Sequence, residues 1–153
     1  MKIVFICHGN ICRSPMTEYV FADLVRREGV ADAFDISSAA VTNEEIGNDV
    51  YPPAKRCLIA HGIPCPPRAA HRITSREVEE ADLLLCMDES NLRHLSSISP
   101  VAIEKAHLLG EYGLDGAEIE DPWYTGNFDR VYDEIALTSA ELLHRLLRGG
   151  AGR

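Results

Sequence analysis

No stretch of this 153-residue chain is apolar over a length that crosses a bilayer. The first residues carry a lysine and a short apolar run, but no small-residue cleavage site follows. They read as a mature strand and not as a signal peptide. The expectation is a soluble, cytoplasmic protein with no membrane contact. A basic excess is missing too: 24 acidic side chains stand against 15 Lys and Arg, a formal charge of −9. That argues against nucleic-acid binding, which uses a basic surface. Five cysteines are an odd count, without a C-x2-C pair or zinc-like cysteine–histidine spacing. A disulfide framework and a structural metal are therefore not expected, nor is a cofactor. Repeats and low-complexity segments are absent. The length suits one domain over residues 1–153, with a core large enough for helices on both sides of a sheet.

What the chain does have is concentrated in Cys7-His8-Gly9-Asn10-Ile11-Cys12-Arg13-Ser14-Pro15. The preceding run, Ile3-Val4-Phe5-Ile6, is β-branched or aromatic throughout and predicts a buried strand. Ser14-Pro15 opens a helical pattern, with Ser14 as the expected N-cap and a proline where its missing N–H costs nothing. A strand, a tight polar loop and a helix start are how an α/β protein binds an anion through loop N–H groups and a helix N-terminus.

Side-chain chemistry narrows this further. Arg13 offers a planar, always-charged fork that matches two phosphate oxygens. The same positive environment favours thiolate over thiol at Cys7, making it a nucleophile. Gly9 permits close backbone approach, and Asn10 tolerates left-handed dihedrals while fixing the loop. A bare C-x5-R pair is common by chance; its place between strand and helix start is what gives it weight. Cys7 and Cys12 form a candidate redox pair, whose disulfide would protect the thiolate from further oxidation. Cys57 and Cys86 sit in apolar contexts as core thiols, and Cys65 falls in a proline-rich loop.

Downstream, the helix from Ser14 runs to about Arg27, and Phe34–Ser38 predicts a second strand. Residues 39–53 read as a polar loop, followed by a helix over Ala54–His61. Ile63–Ala70 is irregular, and Thr74 or Ser75 caps a short helix near Glu77–Ala81. Asp82–Met87 is a third buried strand, after which Asp88 caps a helix through Leu95. A weaker fourth strand lies within Ala102–Leu109, and an acidic, glycine-containing loop runs from Gly110 to Gly126. The last helix has the clearest periodicity, from Phe128 to Leu147, and ends at Gly149-Gly150. Strands alternating with helices predict a mostly parallel sheet with right-handed crossovers.

A thiolate and an arginine clamp leave the departing oxygen unprotonated, so a carboxylic acid from the second half is needed. Asp121, in Glu120-Asp121-Pro122-Trp123-Tyr124, is the best candidate, because Pro122 holds it in extended dihedrals. An ordinary Asp-Pro turn beside two packed aromatics fits those residues equally well.

Over all nine residues, Cys7–Pro15 resembles the signature of the low-molecular-weight protein tyrosine phosphatases. Ser37–Ala40, Glu45–Asn48, His61–Pro64 and Cys86–Leu92 resemble family segments in the same order. The resemblance implies a three-layer α/β fold whose four-stranded parallel sheet has the order 2-1-3-4, with the phosphate loop after a central first strand. It also implies a phosphocysteine on Cys7, phosphate held by Arg13 and the loop from His8 to Arg13, and Asp121 as general acid and base. Ser14 then donates to the thiolate, and Asn10 and Ser38 tether the loop. Asp88, Asn91 and Asn48 fall in segments that border the cleft, and Trp123 and Tyr124 supply its apolar wall.

Two departures stand out. Glu44 takes a cleft position where the family usually has an aromatic residue. The segment Pro66–His71 carries an extra residue, leaving open whether Arg68 or His71 replaces the family's histidine. The implied substrate is a phosphorylated protein or small phosphomonoester, and the implied state a monomer, with a weak dimer as the alternative. A protein-arginine phosphatase and a thiol-dependent arsenate reductase are the rival enzymes on this fold. A non-enzymatic phosphate-binding module is the third reading. Apolar Ile11 argues against the first rival, and the lack of a close C-terminal cysteine pair against the second.

Overall fold

The computed structural model describes residues 1–149. A central strand, β1 (Lys2–Cys7), pairs in parallel with β2 (Asp35–Ala40) on one side and β3 (Leu83–Cys86) on the other. A short β4 (Ala106–Leu108) extends the sheet beyond β3, giving the order 2-1-3-4. Phe5 lies opposite Ser38 and Leu85, and Cys7 opposite Ala40.

Side chains of β1 alternate between the two faces, as strand geometry requires. Ile3, Phe5 and Cys7 pack with α1 (Arg13–Arg27), α2 (Pro52–Ala60) and α6 (Phe128–Gly149). Val4 and Ile6 pack on the other face, against α3 (Ser75–Glu80) and α4 (Glu89–Ile98). Ile3, Val4, Phe5 and Ile6 are fully buried, each contributing about 1.5–3 kcal/mol by the usual area scale. Phe21 meets both Phe5 and Phe34 edge-on, at centroid distances of 5.7 and 5.6 Å.

Several boundaries differ from the sequence expectation. Helix α1 starts at Arg13 with Cys12 in the N-cap position, and Ser14 makes no cap. Its hydroxyl is used inward, at Cys7 and Asn10. Helix α2 begins at Pro52, two residues early, since the first turn needs no N–H from either proline. The fourth strand is only Ala106–Leu108, because Pro100–Lys105 forms a 3-10 turn. Within the acidic loop, Leu109–Glu111 is a 3-10 turn and Pro122–Thr125 a one-turn helix, α5. Thr74, not Ser75, caps α3 in a reciprocal box with Glu77. Helix α6 continues through Gly149; the expected stop at Gly150 lies outside the described residues. The C-terminal end of β1 and the N-terminus of α1 meet beside the crossover from β1 to β2 and β3, where such sheets bind ligands.

Candidate active site

The loop from His8 to Cys12 leaves β1 and feeds directly into α1. Asn10 has φ of 61°, a left-handed conformation that a short polar side chain can stabilise. Its amide N–H points at Cys7 Sγ, 3.3 Å away. Its side-chain Nδ2 donates to Ser14 Oγ at 2.8 Å and to Ser38 Oγ at 3.0 Å. With its oxygen already accepting from Asn10, the Ser14 hydroxyl is oriented to donate to Cys7 Sγ, 3.0 Å away. Gly9 runs under Glu45, where a Cβ would come within 3.1 Å of the Glu45 Cγ.

Of the two residues, Arg68 is the one whose side chain reaches the loop. Its Nη1 donates to the Asn10 carbonyl at 2.8 Å and its Nη2 to Asn10 Oδ1 at 2.7 Å. His71 instead pairs with Glu77 through its ring, while its backbone N–H reaches Asn10 Oδ1. The Ser38 hydroxyl donates a hydrogen bond to Glu18 Oε1. Burial raises the Glu18 pKa above the ordinary carboxylate value, against the opposing pull of Ser38, Arg68 and His71.

Arg13 is buried with its guanidinium fixed on two sides. Nη1 donates to Asp88 Oδ2 at 2.7 Å and to the Ile119 carbonyl at 2.8 Å. Nη2 stands 3.6 Å from Asp121 Oδ2. Burial works against the charged form, yet the Cys7, Asp88 and Asp121 charges outweigh it and hold the guanidinium pKa above its ordinary value. Asp121 caps α5, its Oδ1 accepting from the Trp123 N–H at 3.0 Å. Cys7 and Cys12 are both free thiols. Burial, then the neighbouring Cys7 charge, pushes the Cys12 pKa far up.

One pocket collects these groups. It is lined by loop residues Cys7, His8, Gly9, Ile11, Cys12 and Arg13, by Glu44 and Glu45, and by Asp121, Trp123 and Tyr124. Glu44 Oε2 pairs with His8 Nε2 at 2.9 Å. Three residues expected at the cleft lie outside this lining. Asp88 backs Arg13 instead of facing the pocket, and Asn91 is 1 % exposed, its Oδ1 accepting from the Met87 and Asp88 N–H groups. Asn48 props Glu45 through a 2.9 Å hydrogen bond. Tyr51 was not singled out by the sequence, yet its ring packs on Trp123 with centroids 4.5 Å apart. The available signal was an aromatic immediately before Pro52-Pro53.

Fold and site together define an α/β protein with a cysteine and an arginine in an anion-binding loop and a carboxylate facing them. The family model for the low molecular weight phosphotyrosine protein phosphatases matches residues 2–150, and the chain belongs to that family. It is 39 % identical over 139 residues to the low molecular weight phosphotyrosine protein phosphatase of Homo sapiens, covering 87 % of each chain. The Sus scrofa protein is 40 % identical over 151 residues, with 95 % of each covered. Among solved structures, YfkJ from Bacillus subtilis superposes with a TM-score of 0.92 at 30 % identity, covering 97 % of this chain and 95 % of that one. The YwlE arginine phosphatase, with a phosphorylated active-site serine, gives 0.87 at 28 % identity over 97 % of both chains. The chain is a phosphatase of this family.

Proposed function

We propose that this enzyme hydrolyses phosphotyrosine in proteins through a phosphocysteine on Cys7. The observation that carries this reading is that Cys7, Arg13 and Asp121 share one pocket, with Asp121 Oδ2 3.6 Å from the guanidinium.

The Cys7 thiolate attacks phosphorus, and the bond to the tyrosyl oxygen breaks as Asp121 hands that oxygen its proton. Water then attacks the phosphocysteine, giving its proton to the Asp121 carboxylate and releasing phosphate and the thiolate. Arg13 and the N–H groups of the loop stabilise the equatorial oxygens in both steps. Ser14 stabilises the Cys7 sulfur as attacking and as leaving group. Asn10, Ser38 and Arg68 keep the loop in shape, and Asp88 aligns Arg13. Trp123 and Tyr124 offer aromatic surface to the tyrosyl ring.

The tyrosine phosphatases among the relatives support this substrate. Phosphoarginine is the second reading, favoured by the likeness to YwlE; apolar Ile11 in the pocket lining gives its guanidinium no polar partner. Residues 1–153 act as one domain and as a monomer. Among the described residues no helix is long and apolar enough to cross a membrane, and five free cysteines suit the reducing cytoplasm.

The test is phosphate release from a phosphotyrosine peptide by the wild type and by Cys7→Ser. Release that disappears in the variant supports the reading. Faster release from phosphoarginine than from phosphotyrosine replaces it with the second.

A further inference from the structure

The segment carrying Asp121 is anchored on both sides of that residue. Upstream, the Ile119 carbonyl accepts from Arg13 Nη1, and the Ile119 N–H donates to the Met87 carbonyl at 3.0 Å. Downstream, the anchor is Trp123, whose N–H holds Asp121 Oδ1. The Trp123 ring rests on Tyr51, with centroids 4.5 Å apart and planes inclined by 49°.

Tyr51 is itself tied to the phosphate loop. Its backbone N–H donates to the Ile11 carbonyl at 2.9 Å. Its ring packs against the buried group formed by Ile11, Cys12 and Ala70, and lies 6.1 Å from Phe128. One residue therefore touches the nucleophile loop with its main chain and the acid segment with its side chain.

That link matters because α5 has only four residues. A single turn is not held by its own hydrogen bonds, so the place of Asp121 depends on what the turn is docked against. Pro122 is the one buried residue of the turn. Without the Tyr51 ring, the Trp123 end of the turn loses its support while the Ile119 end keeps its own.

We propose that Tyr51 is a positioning residue that sets Asp121 over the phosphate loop by bracing Trp123. The proposal rests on the assignment of Asp121 as the general acid.

The consequence is selective. A nitrophenolate leaves readily without a proton, whereas the tyrosyl oxygen, with an ordinary pKa of about 10, needs one. Misplacing the acid therefore harms phosphotyrosine turnover more than turnover of p-nitrophenyl phosphate. A shift of about 1 Å in a reacting group can cost on the order of a hundredfold. Damage to the phosphate loop, by contrast, lowers both rates together and weakens phosphate binding.

The experiment compares kcat/KM of wild type, Tyr51→Leu and Tyr51→Phe on the two substrates, with the inhibition constant of inorganic phosphate measured alongside. Tyr51→Leu is expected to lose roughly tenfold or more on phosphotyrosine and less than about threefold on p-nitrophenyl phosphate. Its phosphate inhibition constant stays at the wild-type value. Tyr51→Phe keeps the ring and restores the wild-type ratio between the substrates.

Trp123 is the only tryptophan, so fluorescence reads the contact directly. In Tyr51→Leu its emission moves to the red and becomes more accessible to a soluble quencher. Equal losses on both substrates, a phosphate constant that weakens in step, or unchanged emission overturns the proposal. If Tyr51→Leu does not fold, Tyr51→His carries the same comparison with a smaller ring and an intermediate expected loss. A wild type without Cys7-dependent turnover of either substrate removes the phosphatase reading itself and the brace with it. Equal losses remove only the brace.

Discussion

Arg68 grips Asn10 at two points, its Nη1 on the main-chain carbonyl and its Nη2 on the side-chain oxygen, at 2.8 and 2.7 Å. Both acceptor sites of the residue with the left-handed backbone are thereby taken by one planar fork. Such a fork is pre-organised in a way that a lysine ammonium is not. Asn10 in turn holds Ser14 and, through its N–H, faces Cys7. Arg68→Lys and Arg68→Ala are both expected to lower kcat/KM by roughly ten- to a hundredfold, the worth of hydrogen bonds from a charged donor. Steady-state kinetics on a phosphotyrosine peptide checks this; an unaltered Arg68→Lys would mean that charge alone suffices.

Asp121→Asn removes the proton but keeps the shape and the oxygen that caps α5. The expected loss on phosphotyrosine is about 10²- to 10⁴-fold, the usual range for a general acid. The loss shrinks steadily as the leaving group becomes a weaker base. A series of aryl phosphates measures that slope, and a slope equal to the wild type's argues for another acid.

Glu18 gives a pH prediction. Its folded-state pKa lies above its ordinary 4.5 because burial disfavours the carboxylate. The folded protein thus holds that proton to higher pH than the unfolded chain does. Its stabilising effect is full below 4.5 and is lost as pH rises through the folded value. Glu18→Gln keeps an acceptor for Ser38 and has no such dependence. Urea unfolding across pH should therefore show the variant gaining on the wild type as pH rises over that window. A gap that widens as pH falls would reverse the sign.

Glu44 puts a carboxylate beside a pocket built for a phosphate dianion. Glu44→Tyr removes that repulsion and adds aromatic surface, worth about 0.5–1.5 kcal/mol. The expected outcome is a KM for phosphotyrosine peptides lowered roughly three- to tenfold, with kcat little changed. A change confined to kcat would place Glu44 in the chemistry instead of in binding.

Gly110 lies against the chain it helps to turn. A Cβ there would meet the Ala117 carbonyl oxygen at 1.7 Å, and the Gly110 carbonyl already accepts from the Leu114 and Gly116 N–H groups. Gly110→Ala must shift the backbone leading to Ile119 and Asp121. A destabilisation of about 1–3 kcal/mol or more is expected from such overpacking, readable as a lowered urea midpoint. An unchanged midpoint would mean that the turn yields freely.

The parts legible in the sequence are those where local pattern and tertiary role coincide. Ile3–Ile6 is apolar because both faces of β1 are covered, and the loop after it announces itself through Cys7, Gly9 and Arg13. The period of α6 is plain because Val131, Ile135, Leu142 and Leu143 all face the core, with Thr138 and Ser139 filling the same stripe between them. Where the two diverge, the sequence misleads. Ser14 has the chemistry of a helix cap, but the buried thiol claims its hydroxyl. Asp88 caps α4 as its sequence context predicts, yet it meets Arg13 from outside the pocket, a contact spanning 75 positions. Arg68 and His71 are indistinguishable by spacing, since the irregular path of the proline segment decides which of the two side chains reaches Asn10. Tyr51 shows in the sequence only as an aromatic before Pro52-Pro53, because its role exists only where α5 docks.

The phosphoenzyme itself provides the most direct measurement. The wild type is mixed with a phosphotyrosine peptide, quenched in acid within a turnover, digested, and analysed by mass spectrometry. The expected result is one phosphoryl group on the peptide containing Cys7, present in the wild type and absent from Cys7→Ser. Turnover that proceeds with no phosphoryl group on Cys7, or with it on His8 instead, would rule out Cys7 as the nucleophile.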